Sequence, residues 1–124
     1  MKAIVARDFA PLDNLEYADW PEPVPGPRDV VVQAETIGVN FPDGLLVQGL
    51  YQLRPEPPFV PGMEAAGHVI AVGDEVRSVK VGDRVAALGM LGLYAEKVSV
   101  DERRVMKIPA DMSGADACAL LCGY

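Results

Sequence analysis

The residues between Pro61 and Val85 constrain the fold most, because strand-forming runs alternate there with tight-turn chemistry. The segments Gly73-Asp74-Glu75 and Lys80-Val81-Gly82-Asp83 supply the turns, since glycine reaches backbone angles that other residues avoid and aspartate caps its own turn. Residues 65–67 are Ala, Ala and Gly, which leave little side chain above the backbone, so we expect something to pack or bind closely there. The stretch predicts two strands joined by a tight corner.

Shorter strand signals recur along the rest of the chain, separated by eleven prolines and twelve glycines in total. The runs that predict strands cover residues 2–6, 15–18, 29–39, 84–88, 94–100 and 105–108. Many short strands with glycine and proline between them favour an all-β, barrel-like domain over a helical bundle. Proline-rich residues 20–27 form an extended connector, because proline removes ladder donors. Residues 53–61, with four prolines, are expected to be a surface loop.

Two short helices are predicted beside these strands. Asn40 is suited to cap a helix that runs to about Gln48, with Pro42 in its first turn. Ser113 and Asp116 have the spacing of a capping box, with Asp in place of the usual Glu, and we expect the terminal helix to begin there.

Composition limits the class of function. A chain of 124 residues makes one domain, and its net charge of −7 argues against a nucleic-acid partner, since no basic stripe could neutralise phosphates. The apolar runs are too short for a membrane span, and the N-terminus leads directly into a strand instead of a signal peptide. We therefore expect no membrane partner and a cytoplasmic protein.

Cysteine and histidine give little sign of a metal site. Cys118 and Cys122 are the only cysteines and lie on one face of the terminal helix, where a shared metal and reduced core thiols are the two interpretations. Reduced thiols are favoured, because neither another cysteine nor a correctly placed histidine accompanies the pair. His68, the only histidine, lies within a predicted strand, which favours a structural or surface role.

The central motif identifies a family. Gly62-x-Glu-Ala-Ala-Gly-x-Val-x-x-Val-Gly73, followed by Val81-Gly-Asp-Arg-Val85, resembles the GroES-like catalytic domain of the medium-chain dehydrogenase/reductases. Within that superfamily, the zinc-independent NADPH:quinone oxidoreductases match best, over nearly the whole chain. The resemblance implies a mainly β fold, a partly open GroES-like barrel with short helices, as one domain over residues 1–124. It also implies that residues 112–124 begin the helix that connects to a nucleotide-binding domain.

The cofactor would be bound mainly by that further domain. A Gly-x-Gly-x-x-Gly turn, which holds a dinucleotide pyrophosphate, does not occur in the 124 residues. We therefore expect the chain to be the front part of a longer NADPH-dependent enzyme and to be inactive alone. The full-length enzyme is expected to be a homodimer that acts on a small-molecule acceptor.

Zinc is not expected at this site. In the zinc-dependent relatives, a cysteine follows the long third strand and a histidine precedes the glutamate of the central motif, and here those positions hold Asn40 and Met63. A catalytic zinc needs three protein ligands, and an amide and a thioether do not replace imidazole and thiolate. The relatives' loop of closely spaced cysteines is also absent. For Glu64, we expect a bond to nearby backbone or to a buried cation.

The resemblance implies a set of site residues. Asn40 corresponds to a position beside the nicotinamide, although a helix cap is an equally good interpretation; in the family role it is both a catalytic and a cofactor-binding residue. Tyr51 corresponds to a tyrosine that lines the acceptor pocket, with a loop aromatic as the alternative. Phe41, Leu45 and Met63 would form an apolar substrate pocket suited to planar, hydrophobic acceptors. Leu45 departs from the pattern, because several relatives have a second pocket tyrosine there.

Three functions are consistent with these residues. The first is hydride transfer from NADPH to a quinone or another activated double bond, catalysed mainly by proximity and hydrogen bonding. The second is the reduction of an enoyl thioester or enone by an enzyme of the same superfamily. The third is a free-standing GroES-like module without catalysis.

Overall fold

A computed structural model describes the backbone of residues 1–122 and the side chains of residues 1–119. The predictions made for the Cys122 side chain and for Tyr124 therefore lie outside the described residues. Within the described part, the elements in chain order are β1 Lys2–Val5, a 3-10 turn Leu12–Asn14, β2 Glu16–Asp19, β3 Asp29–Gly38, α1 Phe41–Val47, β4 Glu64–Val72, β5 Arg84–Leu88, β6 Lys97–Asp101, a 3-10 turn Glu102–Arg104, β7 Val105–Lys107 and α2 Gly114–Cys122.

The strands form a curled, partly open antiparallel arrangement. Five of them build one sheet in the order β6-β3-β4-β5-β7, and β1 pairs with β2. The two sheets are joined through the backbone, because Ile4 N–H donates to the Tyr94 carbonyl at 2.8 Å and Ala3 forms a bridge with Ala95. The mainly β, GroES-like fold predicted from the sequence is confirmed.

The small residues at the centre of the sheet explain how closely its strands pack. A Cβ added to Gly67 on β4 would overlap the backbone carbonyl oxygen of Gln33 on β3. On the same strand, the fully buried Ala66 packs against Ala117 and Cys118 of α2. The expectation that something packs closely over residues 65–67 is therefore confirmed.

The main core lies on the other side of the sheet. It is built largely from valines and alanines whose side chains alternate along the strands, which is the pattern of a half-buried antiparallel sheet. Its members include Val30, Val32, Val69, Val85, Leu93 and Val98. A smaller cluster of Ala6, Leu46 and Phe59 fixes α1 against the loop before β4. Neither helix in the described residues is long and apolar enough to cross a bilayer.

Two predicted segments differ from the structure. Strand β6 begins at Lys97 and not at residue 94, because the backbone of Tyr94 and Glu96 bonds with β1 and lies outside the regular ladder. The loop over residues 53–61 is not all at the surface: Phe59, Val60 and Pro61 are buried. Phe59 exchanges two backbone hydrogen bonds with Ala6, which draws the end of the loop into the core.

Candidate active site

Asn40, predicted either as a helix cap or as a residue beside the nicotinamide, lies at the start of helix α1. Asn40 is the N-cap, and Pro42 lies in the first turn as predicted. The carboxylate of Asp43 accepts a 3.0 Å hydrogen bond from the Asn40 N–H, which is the reciprocal half of a capping box. The helix ends at Gly49, whose positive φ of 75° suits glycine.

Asp43 is buried and connects α1 to a distant loop. It is 3% exposed, and its Oδ2 also accepts a 2.6 Å hydrogen bond from the Tyr94 hydroxyl. Burial raises the pKa of Tyr94 above its ordinary value, and the bond to Asp43 raises it further. The Tyr94 hydroxyl thus keeps its proton more firmly than an exposed tyrosine and donates it to Asp43.

A second buried carboxylate holds the side chain of Asn40. Glu64, the first residue of β4, is 4% exposed and pairs with Gly38 across the sheet. Its Oε1 accepts a 3.1 Å hydrogen bond from the Asn40 amide nitrogen. A side chain on Gly38 would overlap the Glu64 carboxylate, so glycine is required there for Glu64 to reach Asn40. The partner expected for Glu64 was backbone or a cation, and the described structure instead gives it a side-chain amide.

Asn40, Asp43 and Tyr94 line an open cavity of about 490 Å³ beside helix α1. Most of the wall is apolar, and Asn40, Asp43, Gln48 and Tyr94 provide its polar groups. The lining residues are Leu12, Leu15, Val39, Asn40, Phe41, Asp43, Gly44, Leu45, Val47, Gln48 and Tyr94. Such a cavity suits a planar, mostly apolar ligand with a few polar contacts.

A scan against protein-family models matches residues 26–110 to the alcohol dehydrogenase GroES-like domain. The chain belongs to this family. The match covers most of the chain and includes β3 to β7, which form the five-stranded sheet, together with the cap of α1. The predicted membership of the GroES-like domain of the medium-chain dehydrogenase/reductases is confirmed.

The chain has curated relatives that include a quinone oxidoreductase-like protein. It is 38% identical to the human synaptic vesicle membrane protein VAT-1 homolog over 126 residues, and 41% identical to mouse quinone oxidoreductase-like protein 2 over 114 residues. These alignments cover 100% and 92% of the chain, but only 32% of each relative. The chain thus spans about a third of the length of the curated relatives it matches.

Solved structures agree with this grouping. A probable oxidoreductase from Mycobacterium abscessus superposes with a TM-score of 0.94 at 44% identity, over 100% of the chain and 39% of that protein. The Escherichia coli quinone oxidoreductase complexed with NADPH superposes with a TM-score of 0.90 at 30% identity, over 96% of the chain and 36% of that protein.

The structure brings together only some of the residues predicted for the site. In this GroES-like domain, Asn40, Phe41 and Leu45 line the cavity, and Phe41 is largely exposed. Tyr51 lies elsewhere, partly buried against the Leu46 cluster, and its hydroxyl is outside the lining set. Met63 is half-buried just before Glu64 and is also outside that set.

Sequence reasoning did not select Tyr94 or assign Asp43 more than a first-turn role. Tyr94 lines the cavity from a segment that the pattern predicted as ordinary strand. Only the pairing of the Tyr94 segment with β1 places its hydroxyl over helix α1, and no local signal carries that information. The buried oxygens Asp43 Oδ1 and Glu64 Oε2 are without hydrogen-bond partners among the described residues.

The histidine and the described cysteine lie outside this site, the first in a partly exposed ion-pair cluster and the second in the interior. His68 Nδ1 lies 3.0 Å from Glu35 Oε1, and Arg84 contacts the same carboxylate from β5. Cys118 is a buried free thiol, in agreement with the interpretation of a reduced core cysteine. Among the described residues, no group of three His, Cys, Asp or Glu side chains is arranged to hold a metal ion.

Proposed function

We propose that this chain is the catalytic-domain portion of a zinc-independent, NADPH-dependent quinone oxidoreductase-like enzyme. Its reaction would be hydride transfer from NADPH to a quinone or to another activated double bond. The observation that carries the proposal is the Asn40 amide, held at the wall of an apolar cavity in a GroES-like domain. The domain would occupy residues 1–124, with residues 112–124 beginning the connection to a nucleotide-binding domain. The chain's match to one third of longer relatives supports this division.

The cavity residues fit a nicotinamide ring. A flat, uncharged ring with one carboxamide needs apolar walls and a small number of fixed polar groups, and Phe41, Leu45 and Asn40 are of these kinds. In the proposal, Asn40 binds the carboxamide end, and the more distant parts of the cofactor contact the further domain. Bound NADPH supplies the hydride.

The residues of this chain would contribute positioning and polarity. Apolar walls exclude water, and a fixed amide restricts the ring to one orientation, which is how proximity lowers a barrier without an acid or a metal. Tyr51 is proposed to donate its hydroxyl to the oxygen of the acceptor, and Met63 to complete the apolar wall. Both assignments rest on the family resemblance, and both need the acceptor to approach from the Tyr51 side of α1.

Zinc independence rests on the donor set. Asn40 and Met63 occupy the two ligand positions of the zinc-dependent relatives, and the Asn40 nitrogen is bonded to Glu64. Metal analysis of the full-length protein provides the check. Stoichiometric zinc that is lost in an Asn40→Ala variant would contradict this part of the proposal.

The reaction is tested with the full-length protein encoded by the reading frame. NADPH oxidation is measured with quinones, with enones and with an enoyl thioester, for the wild type and for Asn40→Ala and Tyr51→Phe. Tyr17→Phe is the matched control, because Tyr17 is a largely exposed tyrosine outside this cavity. We expect quinone turnover that falls in the two site variants and persists in the control.

Other outcomes assign the alternatives. Preference for the enoyl thioester or the enone favours the enoyl or enone reductase. Absence of turnover with every acceptor, or a reading frame that stops at residue 124, favours the non-catalytic module and overturns the proposal. The homodimer and the cytoplasmic location stay predictions for the full-length enzyme.

A further inference from the structure

We propose that Glu64 is a positioning residue, which fixes the Asn40 amide in one of its two orientations at the cavity. The proposal rests on the proposed function for the identity of the ligand, whereas the contact between Glu64 and Asn40 exists without any ligand.

The Asn40 side chain alone does not select an orientation. The terminal torsion of asparagine is broad and roughly two-fold, so the amide nitrogen and oxygen can exchange places by a half turn. A carboxylate accepts hydrogen bonds and does not donate them. Because Glu64 Oε1 lies 3.1 Å from Asn40 Nδ2, it favours the orientation with the nitrogen toward β4. The carbonyl oxygen is then on the side of helix α1, whose residues line the cavity.

The position of Glu64 is itself determined by the sheet. The residue is buried at the start of β4, and its register partners are Gly38 on β3 and Leu88 on β5. The space above Gly38 is filled by the Glu64 carboxylate, since an added Cβ would overlap it. At 4% exposure the Glu64 carboxyl group is shielded from water, so the hydrogen bond from the Asn40 amide compensates for part of the cost of burying it.

The second buried carboxylate holds the backbone of the same asparagine. Asp43 Oδ2 accepts from Asn40 N–H at 3.0 Å and is anchored in turn by the Tyr94 hydroxyl. Asn40 is thus restrained at its main chain by Asp43 and at its side chain by Glu64. With one amide hydrogen committed to Glu64, Asn40 keeps its carbonyl oxygen as an acceptor and its second amide hydrogen as a donor, each in a fixed direction, for a polar ligand group such as a carboxamide.

Kinetics of the full-length protein test the coupling. Glu64→Met removes the acceptor at similar length, and we expect kcat to fall about 10- to 100-fold, as small misplacements of a positioning group do. In an Asn40→Ala background, the same change should cost less than about twofold, because the positioned group is already absent. Glu35→Gln is the matched control, since Glu35 is a half-exposed carboxylate on β3 that contacts His68 and Arg84 and lies outside the cavity. Equal losses in both backgrounds would overturn the proposal.

A spectroscopic readout keeps the test independent of activity and of the proposed function. In protein labelled with ¹⁵N-asparagine, the side-chain NH₂ signal of Asn40 is assigned by its loss in Asn40→Ala. We expect this signal to shift in Glu64→Met, and to a smaller extent in Glu64→Gln, which preserves shape and retains an acceptor oxygen. An unchanged Asn40 signal in the folded Glu64→Met variant would refute the orienting role. If the wild type turns over no acceptor, the proposed function fails, while the NMR result still decides whether Glu64 orients Asn40.

Discussion

The Tyr94 hydroxyl donates a 2.6 Å hydrogen bond to Oδ2 of Asp43, which lies 51 residues earlier in the chain. The same oxygen accepts from the N–H of Asn40. The segment before β6 therefore holds the first turn of α1 in place, and with it the residue at the centre of the proposed site.

Removing the Tyr94 hydroxyl should destabilise the domain. In Tyr94→Phe, a buried carboxylate loses its charge-assisted partner, and we expect the free energy of unfolding to fall by about 1.5–3 kcal/mol. Urea denaturation at pH 7 measures the change. Tyr17→Phe, at a side chain whose residue is 71% exposed, should change stability by less than about 0.5 kcal/mol. Equal effects of the two substitutions would show that the bond to Asp43 contributes nothing.

The raised pKa of Tyr94 predicts a loss of stability in alkali. The unfolded chain releases this proton near the ordinary value of 10.0, whereas burial and Asp43 retain it in the folded protein. The contribution is therefore complete below pH 10 and falls as the pH rises above 10 toward the folded pKa. Denaturation from pH 8 to 11 should show a steeper decline for the wild type than for Tyr94→Phe. Parallel curves would contradict the burial of this hydroxyl.

Two Gly→Ala substitutions should have opposite signs. At Gly67, the new methyl group would overlap the Gln33 carbonyl oxygen, so the strands must separate and we expect a loss of about 3 kcal/mol or more. At Gly44, within α1, the nearest atom to the new methyl is 4.0 Å away, and alanine should stabilise the helix by about 0.5–1 kcal/mol. Thermal unfolding of both variants provides the comparison. A tolerated Gly67→Ala would mean that β3 and β4 pack less closely than described.

Cys118 should react slowly with thiol reagents. Burial raises the pKa of this thiol, Glu64 raises it further, and the thiolate is the reactive form. In a Cys122→Ser background, we expect labelling of native protein by a disulfide reagent to be at least about tenfold slower than in urea. Rapid labelling of the native protein would place the thiol outside the core.

Most of the fold was predictable from the sequence, because turn residues and strand periodicity are properties of consecutive residues. Gly73 and Asp83 lie at the two ends of the connection between β4 and β5, which is longer than the predicted tight corner, whereas the boundaries of β5 were predicted correctly. The failures arose where tertiary contact overrides local pattern. The local sequence places Phe59 in a proline-rich surface loop, whereas its backbone hydrogen bonds with Ala6 bury it. The local pattern around Tyr94 predicts a strand of the main sheet, whereas its backbone instead bonds with β1.

The candidate site was only partly predictable for the same reason. Asn40 was predictable from its suitability as a helix cap and from the family motif, and both features are visible in consecutive residues. The role of Asp43 depends on Tyr94, and that of Glu64 depends on the absence of a side chain at Gly38. Such pairings arise from strand register and loop placement, which one sequence does not specify residue by residue.

The surface around Asn40 and Tyr51 should make residues 1–124 self-associate. Val39, Phe41 and Leu50 are 82%, 81% and 69% exposed, and apolar side chains grouped in this way usually mark a covered face. Light scattering of residues 1–124 should therefore show a mass that increases with concentration.

Replacing Val39 and Phe41 by serine should reduce this association, because it removes the two most exposed members around Asn40. Val24→Ser is the matched control, since Val24 is 88% exposed in the proline-rich connector and apart from the cavity. A monomer at every concentration, or an equal loss of self-association in Val24→Ser, would contradict association through the apolar surface at α1. If the wild type and Val24→Ser associate and the Val39 and Phe41 variant does not, the associating surface lies at the entrance to the proposed cofactor site, where a further domain would cover it.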